Sequence, residues 1–467
     1  MLIGREDELQ FLEDKYKSAD SQIVVLYGKR RLGKTAILRE FCEDKTHIFY
    51  SCTKSVHYTQ LKLFSECLKS KIAPNSRIFK PFNSWQEAFE NLAALPCSPR
   101  EKKLVIIDEF HLMFESHEQM PFVLQHVWEE TLRKKNIMII LCSSLTIFVE
   151  KIVLNQSNPF LKYVTGVLKL NKLSFFDAVK FFPNYSVHDK ITAYAVFGGT
   201  PYYLSQMDPN LSLSENIVKK ILTRSTILYH EVDTMIRSDI RESANLNPIV
   251  HAIASGSVNV KEIYEKTADD RNRISMYIKT LMDMDIVMRE NMLSAVAGED
   301  DPQRGTYIVA DNFICFWYAF VYPNFSALES GDPQAVFDNV ISPELDKYTA
   351  RIFDDICRQY LIRENEKGNL PFTFSRIGQW RDFSSDLDVM ATDDKKDFIL
   401  IGDCQYNNAP VSVERLYYLC DRVEQFKTKS TVFYCLFTKR EFSDEIKRLY
   451  KNKKLLAITA EDILKQE

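Results

Sequence analysis

No stretch of this 467-residue sequence approaches the roughly 18 apolar residues that a membrane span requires; the longest candidate runs only from Phe313 to Tyr322. The amino terminus, Met1-Leu2-Ile3-Gly4-Arg5-Glu6-Asp7-Glu8, is charged and has no apolar export core, so the chain is expected to be cytoplasmic and to make no membrane contact. Its ten cysteines include no C-x-x-C pair, which argues against a disulfide scaffold or a zinc site. Cys142, Cys404 and Cys435 lie in apolar strand-like runs and read as buried reduced thiols. An excess of positive charge is also missing. With 60 Lys and Arg against 64 Asp and Glu, the net charge of -4 argues against a chain coated by nucleic acid, although a local basic face is compatible with it. The composition that remains, 45% hydrophobic and 27% charged, is globular throughout, and the length suits about three domains.

Against this background one segment carries chemistry. Gly28-Lys29-Arg30-Arg31-Leu32-Gly33-Lys34-Thr35 fits the P-loop spacing G-x-x-x-x-G-K-[ST]. It follows the apolar run Ile23 to Tyr27, a buried strand, and leads into Ala36 to Phe41, a helix. Loop N–H groups and the positive end of that helix would form an anion nest for ATP, with Lys34 on the outer phosphates and the Thr35 hydroxyl on magnesium. A plain glycine-bearing turn is the alternative. About 70 residues on, Lys103-Leu104-Val105-Ile106-Ile107 ends in Asp108-Glu109, as magnesium coordination by Asp108 and water activation by Glu109 require. Without an upstream P-loop such a pair would read as a solvated strand end. Glu109 beside Asp108 places the base on the strand next to the P-loop strand, the arrangement of hydrolysing NTPases with an extra central strand. Ile137 to Ser144 is another buried strand, expected to lie between the first two. Ser143 or Ser144 at its end would either sense the outer phosphate or cap Leu145 to Lys151.

Strand signals at Ile23–Tyr27, His47–Cys52, Leu104–Asp108, Ile137–Ser143 and Val167–Leu170 alternate with helical stretches such as Tyr58–Ile72 and Ser84–Leu95, which predicts a parallel sheet wrapped by helices. From Ser174 to about Thr234 the chain reads as helices, broken at Pro183 and at Gly198-Gly199-Thr200-Pro201, a helical lid. Pro248–Ser255, Val260–Thr267 and Asp270–Asp285 read as three helices before the strand Ile286–Arg289, the outline of a winged helix. Its third helix would carry Arg271, Arg273, Ser275 and Lys279 on its outer face, chemistry suited to DNA phosphates and base edges, diluted by Glu262, Asp269 and Asp270. A protein-contact module is equally compatible. Ala297 to Arg304 reads as a polar wing. The aromatic stretch Tyr307 to Phe325 reads as helix core more than as a platform for stacking bases. After a helix over Glu344–Tyr360, Asp386–Met390 and Phe398–Tyr406 form a hairpin. On it Asp388, Asp403 and Gln405 either converge on one metal or decorate an exposed edge, Asp403 and Gln405 sharing a face.

Taken together, the opening Ile3-Gly4-Arg5-Glu6, the arginine-rich loop Gly28 to Thr35, Asp108-Glu109-Phe110, Leu173-Ser174-Phe175-Phe176 and Tyr194 to Tyr202 resemble the archaeal-type P-loop ATPases, a clade of the STAND branch close to AAA+ proteins. Ala310-Asp311-Asn312-Phe313 with Phe316-Trp317-Tyr318 looks like the start of that family's carboxy-terminal extension, which resembles the PD-(D/E)XK nuclease fold. The resemblance implies an α/β P-loop NTPase sheet of ASCE type over 1–172 and a helical lid over 173–240. It then implies a winged helix over 241–300, an aromatic-rich connection over 301–341 and a nuclease-like α/β domain over 342–467. Two departures stand out. Where relatives carry paired arginines before the fifth strand, this chain has Lys162-Tyr163-Val164-Thr165-Gly166, so transition-state charge must come from Arg224, Arg237 or a neighbouring subunit of a homo-oligomer. In the tail the acid-x-lysine becomes Asp403-Cys404-Gln405, without its lysine. The expectation is an ATP-hydrolysing switch whose winged helix and tail read DNA or a partner. An ATP-gated nuclease using Asp388 and Asp403, and a nucleotide-locked interaction scaffold, are the rivals.

Overall fold

The computed structural model describes residues 2–72, 80–98, 101–239, 246–267, 270–290, 293, 305–382, 385–426, 429–449 and 454–465. They fall into two compact units, Met1–Lys172 and Leu173–Glu467.

The first unit is built on strands β1 (Gln22–Tyr27), β2 (His47–Ser51), β3 (Lys103–Asp108), β4 (Ile137–Ser143) and β5 (Gly166–Lys169), in the order β2-β3-β4-β1-β5. All the pairings are parallel. Apolar residues on successive positions feed alternate faces. Ile23, Val25, Val105, Ile107, Ile139 and Leu141 enter one core, while Val24, Leu26, Leu104, Ile106, Met138 and Ile140 enter the other. A strand buried on both faces must be apolar at every position, which is why β1, β3 and β4 read as unbroken runs. Each such side chain contributes about 1.5–3 kcal/mol through removal from water. Helices α1 (Glu6–Lys17) and α2 (Lys34–Cys42) pack together on one side, and α3 (His57–Ile72), α4 (Trp85–Glu90), α5 (His111–Ser116) and α6 (Met120–Glu130) lie against the other core.

One expectation needs correction. Glu109 does not follow a strand next to β1, because β4 stands between β3 and β1 with Tyr27 opposite Ser143 and Ile107 opposite Leu141. This inserted strand brings the carboxyl ends of β1, β3 and β4, and so the P-loop, Asp108-Glu109 and Ser143-Ser144, to one edge of the sheet.

The second unit opens with short helices, among them Val187–Phe197 and Pro201–Leu204, broken near Pro183 and at Gly198-Gly199 as the sequence indicates. A Cβ at Gly199 would lie 2.1 Å from the carbonyl oxygen of Leu173, so the backbones meet there. Helices Asn247–Ala254, Val260–Thr267 and Arg271–Asp283 are followed by antiparallel strands β6 (Val287–Glu290) and β7 (Thr306–Val309). The polar segment 297–304 lies outside the described residues. Phe313, Phe316, Trp317, Tyr318 and Phe320 are buried in the core of this unit, and Tyr307, Tyr322 and Phe325 pack half-buried against it, so the stripe serves mainly as core.

The tail forms a second sheet from β8 (Arg376–Asp382), β9 (Ser385–Thr392), β10 (Phe398–Gln405), β11 (Thr431–Thr438) and β12 (Leu455–Thr459), ordered β12-β11-β10-β9-β8. β9 pairs antiparallel to both β8 and β10, while β11 is parallel to both β10 and β12. The period of two along β10 decides what each side chain meets. Leu400 enters the core shared with the long helix Leu345–Glu366, whereas Ile399 and Ile401 enter the core shared with the helix Val413–Phe426.

Candidate nucleotide site and the acidic tail cluster

Backbone shape makes the P-loop. Gly28 has φ 154°, Arg31 φ 71° and Gly33 φ 88°, and the left-handed Gly33 caps α2. A Cβ at Gly28 would lie 2.5 Å from the Leu170 carbonyl oxygen, so only glycine fits the start of the loop. The Gly28 N–H donates to the Ser143 carbonyl at 3.3 Å, which ties the loop to β4. Arg5, from the opening motif, is buried, and its guanidinium donates to the carbonyls of Leu32 (3.3 Å) and Asn171 (2.7 Å) and pairs with Glu8 (2.7 Å). The sequence flags Arg5 only as part of a motif; here it braces the loop.

Lys34 is buried and donates from Nζ to the carbonyl oxygens of Gly28 (2.8 Å) and Lys29 (2.7 Å). Burial holds its pKa below the ordinary lysine value, against the pull of Cys142, Glu109 and Asp108. Arg30 and Arg31 are exposed at the loop's rim, while Leu32 is buried. The Thr35 hydroxyl donates to Asp108 Oδ2 at 3.2 Å, and Asp108 Oδ1 accepts the Glu109 N–H at 3.0 Å. Thr35 and Asp108, the two residues expected on magnesium, are therefore already together. Chemically the site offers one ammonium resting on carbonyls and a hydroxyl–carboxylate pair, beside the amino-terminal end of α2 with its unpaired N–H groups. That donor set fits a polyphosphate with a divalent cation.

Glu109 is the structurally unusual member. Its φ of 52° is left-handed, a conformation that costs a non-glycine residue on the order of 1 kcal/mol and turns the side chain toward β4. Its Oε2 accepts from the Ser144 hydroxyl (2.7 Å) and the Ser144 N–H (3.1 Å), with His111 Nδ1 at 3.2 Å. Ser143 is wholly buried, its Oγ 3.1 Å from His111 Nδ1 and accepting the Leu145 N–H at 3.1 Å. Burial pushes the His111 imidazole below its ordinary value, against the acids around it, so it is neutral near pH 7. The sequence reading passed over His111; its signal was a polar residue two positions past the acid pair, at the start of a helix packed against the strand ends.

Of the positions offered for transition-state charge, Arg224 is exposed and paired with Glu329 at 3.2 Å. The Arg237 side chain lies outside the described residues. On the helix Arg271–Asp283, Arg271, Arg273, Ser275 and Lys279 are exposed, opposite buried Ile274, Ile278 and Leu281.

In the tail the expected trio is regrouped by strand alternation. Asp403 faces the helix Val413–Phe426, where Arg415 grips it with Nε (3.0 Å) and Nη2, and Gln405 Nε2 donates to it at 2.9 Å. Gln405 Oε1 in turn accepts from Asn407 at 3.2 Å. Asp388 accepts the Cys404 N–H at 2.8 Å, and its carboxylate lies within 4.8 Å of ligand atoms of Asp354 and Cys404. Asp354, on the helix Leu345–Glu366, was not singled out from the sequence, and among the described residues no donor reaches it. Burial and the facing carboxylates raise Asp354 well above the ordinary range, and burial with Asp403 and Asp386 pushes Asp388 up to about 6.

Residues 2–207 match a family described as an ATPase domain predominantly from Archaea, and residues 317–416 match one described as Archaea bacterial proteins of unknown function. An uncharacterized protein of Methanocaldococcus jannaschii is 28% identical over 396 residues, 84% of this chain and 85% of its own. An uncharacterized ATP-binding protein of the same organism is 42% identical over 45 residues, 10% of this chain and 76% of its own. Among solved structures, a Walker-type ATPase of Pyrococcus abyssi is 17% identical, with a TM-score of 0.48, covering 68% of this chain and 96% of that one. The ORC2 protein of Aeropyrum pernix, in complexes with ADPNP and ADP, is 16% identical with a TM-score of 0.43, covering 70% of this chain and 95% of that one. No helix among the described residues is long and apolar enough to cross a membrane.

Proposed function

We propose, starting from the membership of this chain in the archaeal-type P-loop ATPases, that it is an ATP-hydrolysing molecular switch whose carboxy-terminal unit reads DNA or a protein partner. The observation that carries the reading is the convergence of Lys34, Thr35, Asp108, Glu109 and Ser144 at the carboxyl ends of β1, β3 and β4. Gly28, Lys29, Arg30, Arg31, Leu32 and Gly33 supply the loop for the phosphates, Lys34 the positive charge, and Thr35 with Asp108 the magnesium ligands. Magnesium supplies charge neutralisation on the phosphates when bound with ATP. Glu109 takes the proton from water, with one carboxylate oxygen held by Ser144 and the other without a donor among the described residues. Ser143, buried behind it, acts through His111 rather than on the phosphate directly.

The three helices and hairpin of 247–309 support a winged helix, with Arg271, Arg273 and Lys279 as its phosphate contacts. For the tail, the charge supplied by Arg415 to Asp403 supports a nuclease-like domain that no longer cleaves. The cluster of Asp354, Asp388 and Cys404 favours the second reading, a working metal-dependent nuclease gated by ATP. Steady-state phosphate release and plasmid cleavage, each with magnesium, manganese or chelator, separate the two. Magnesium-dependent phosphate release without cleavage supports the switch; cleavage lost in Asp388→Ala supports the nuclease; absence of both leaves the nucleotide-locked scaffold.

A further inference from the structure

We infer that His111 is the positioning residue of the Glu109 base, clamping one carboxylate oxygen so that the other faces the reacting water; this rests on Glu109 being that base. A carboxylate only accepts hydrogen bonds, and His111 Nδ1 lies 3.2 Å from Glu109 Oε2, so the attraction requires the proton on Nδ1. The same Nδ1–H faces Ser143 Oγ at 3.1 Å, whose other partner is the Leu145 N–H. His111 thus links the buried serine at the end of β4 to the acid at the end of β3, and Ser144 donates to the same oxygen from its hydroxyl and its N–H. Ser144 donates twice to Oε2, the His111 ring nitrogen stands 3.2 Å from the same oxygen, and among the described residues no donor reaches Oε1. The ring itself is fixed from behind, buried and packed near Phe148 with centroids 6.1 Å apart. A free glutamate side chain samples several rotamers, and a left-handed backbone at Glu109 narrows them only in part. Hydrogen bonds to the carboxylate narrow the remainder, and preorganisation of this kind acts on turnover, not on nucleotide affinity.

Variants at His111 and at Glu109 and a spectroscopic measurement test this. His111→Leu keeps bulk and removes the donor; His111→Asn keeps an N–H near the Nδ1 position. We expect His111→Leu to lower turnover about tenfold or more while leaving the ATP dissociation constant within about twofold, and His111→Asn to recover most of that loss. In a Glu109→Gln background, His111→Leu should add no further loss. Without nucleotide, nitrogen-15 NMR of the histidines, assigned through His111→Asn, should show His111 protonated at Nδ1 and its signal should move in Glu109→Ala. Wild-type turnover in His111→Leu, equal impairment in His111→Asn, or a proton on Nε2 would each overturn the assignment. Wild-type turnover in Glu109→Gln would sink the base reading itself, whereas lost turnover there beside intact turnover in His111→Leu sinks only the positioning role.

Discussion

The P-loop site gathers its carboxylates at a strand end and the tail cluster gathers its own from two strands and a helix, and they differ in where positive charge sits. In the first unit the nearest ammonium, Lys34, rests on two neutral carbonyls and leaves Asp108 and Glu109 to hydroxyl, N–H and imidazole donors. A phosphate and a cation entering there displace only modest interactions. In the tail Asp403 already has a guanidinium as its counter-ion, while Asp354 and Asp388 face each other across Cys404. Exchanging a bound Arg415 for a metal means separating charges that are partly desolvated, at a cost of several kcal/mol unless the metal gives it back. A cluster of acids therefore does not by itself make a site. What distinguishes them is whether the protein has already answered the charge.

The largest effect that would break this comparison lies at Glu109. Glu109→Gln preserves shape and removes the base, so ATP should bind as before while phosphate release falls about 10² to 10⁴-fold. Equal turnover in mutant and wild type would make the first site no more catalytic than the second. Next comes the tail. We expect no magnesium- or manganese-dependent cleavage of plasmid DNA by the unmodified chain, because Gln405 cannot supply the charge that a lysine would, a loss of about 10² to 10³ in rate for one preorganised donor. Cleavage that vanishes in both Asp388→Ala and Asp403→Ala would erase the contrast. Lys34→Ala is expected to weaken ATP binding at least about tenfold, since a hydrogen bond to a charged group contributes about 1.5–3 kcal/mol. Unchanged affinity by calorimetry in the folded mutant would remove the P-loop from the account.

What the sequence disclosed follows the same division. The strands of the first unit were legible within about a residue, most plainly β1, β3 and β4, which are buried on both faces and leave an unbroken apolar run. Lys34, Thr35 and Asp108 were legible because their spacing is set by one loop and one strand end. The hairpin β9–β10 was legible for similar reasons, and so was the shared face of Asp403 and Gln405. His111, Asp354 and Arg415 were not. Each reaches its partners across tertiary packing, from α5 to β4, from the helix Leu345–Glu366 to β9, and from the helix Val413–Phe426 to β10. No local pattern marks a charged residue on a helix as the one that will meet a strand. Helices following Leu173 share one hydrophobic core with the tail, a packing that no local signal announces.

The smallest expected effect is on stability, and it tests whether the tail acids carry an unanswered charge. Asp388, with a folded value pushed up to about 6 from an ordinary 3.8, faces Asp354, Asp403, Asp386 and Arg415. A carboxyl raised in the folded state favours folding below its unfolded value, and that contribution is lost as pH rises through the folded value. The window therefore runs from about pH 4 to about pH 7, with the tail weaker at the upper end. Asp388→Asn removes the charge and keeps an oxygen that can accept the Cys404 N–H. The variant should match wild type below about pH 3.5 and exceed it near pH 8 by about 1–3 kcal/mol, read as a higher midpoint for the carboxy-terminal transition in calorimetry. Each unit by which the folded value of Asp388 exceeds its unfolded value corresponds to about 1.4 kcal/mol, so the gap between the two curves measures that difference. A divalent cation that closes this gap in the wild type would show that the cluster accepts a metal after all. Parallel curves with no gap at pH 8 would mean that Arg415 already balances the acids, and the difference between the two sites would then be one of geometry alone.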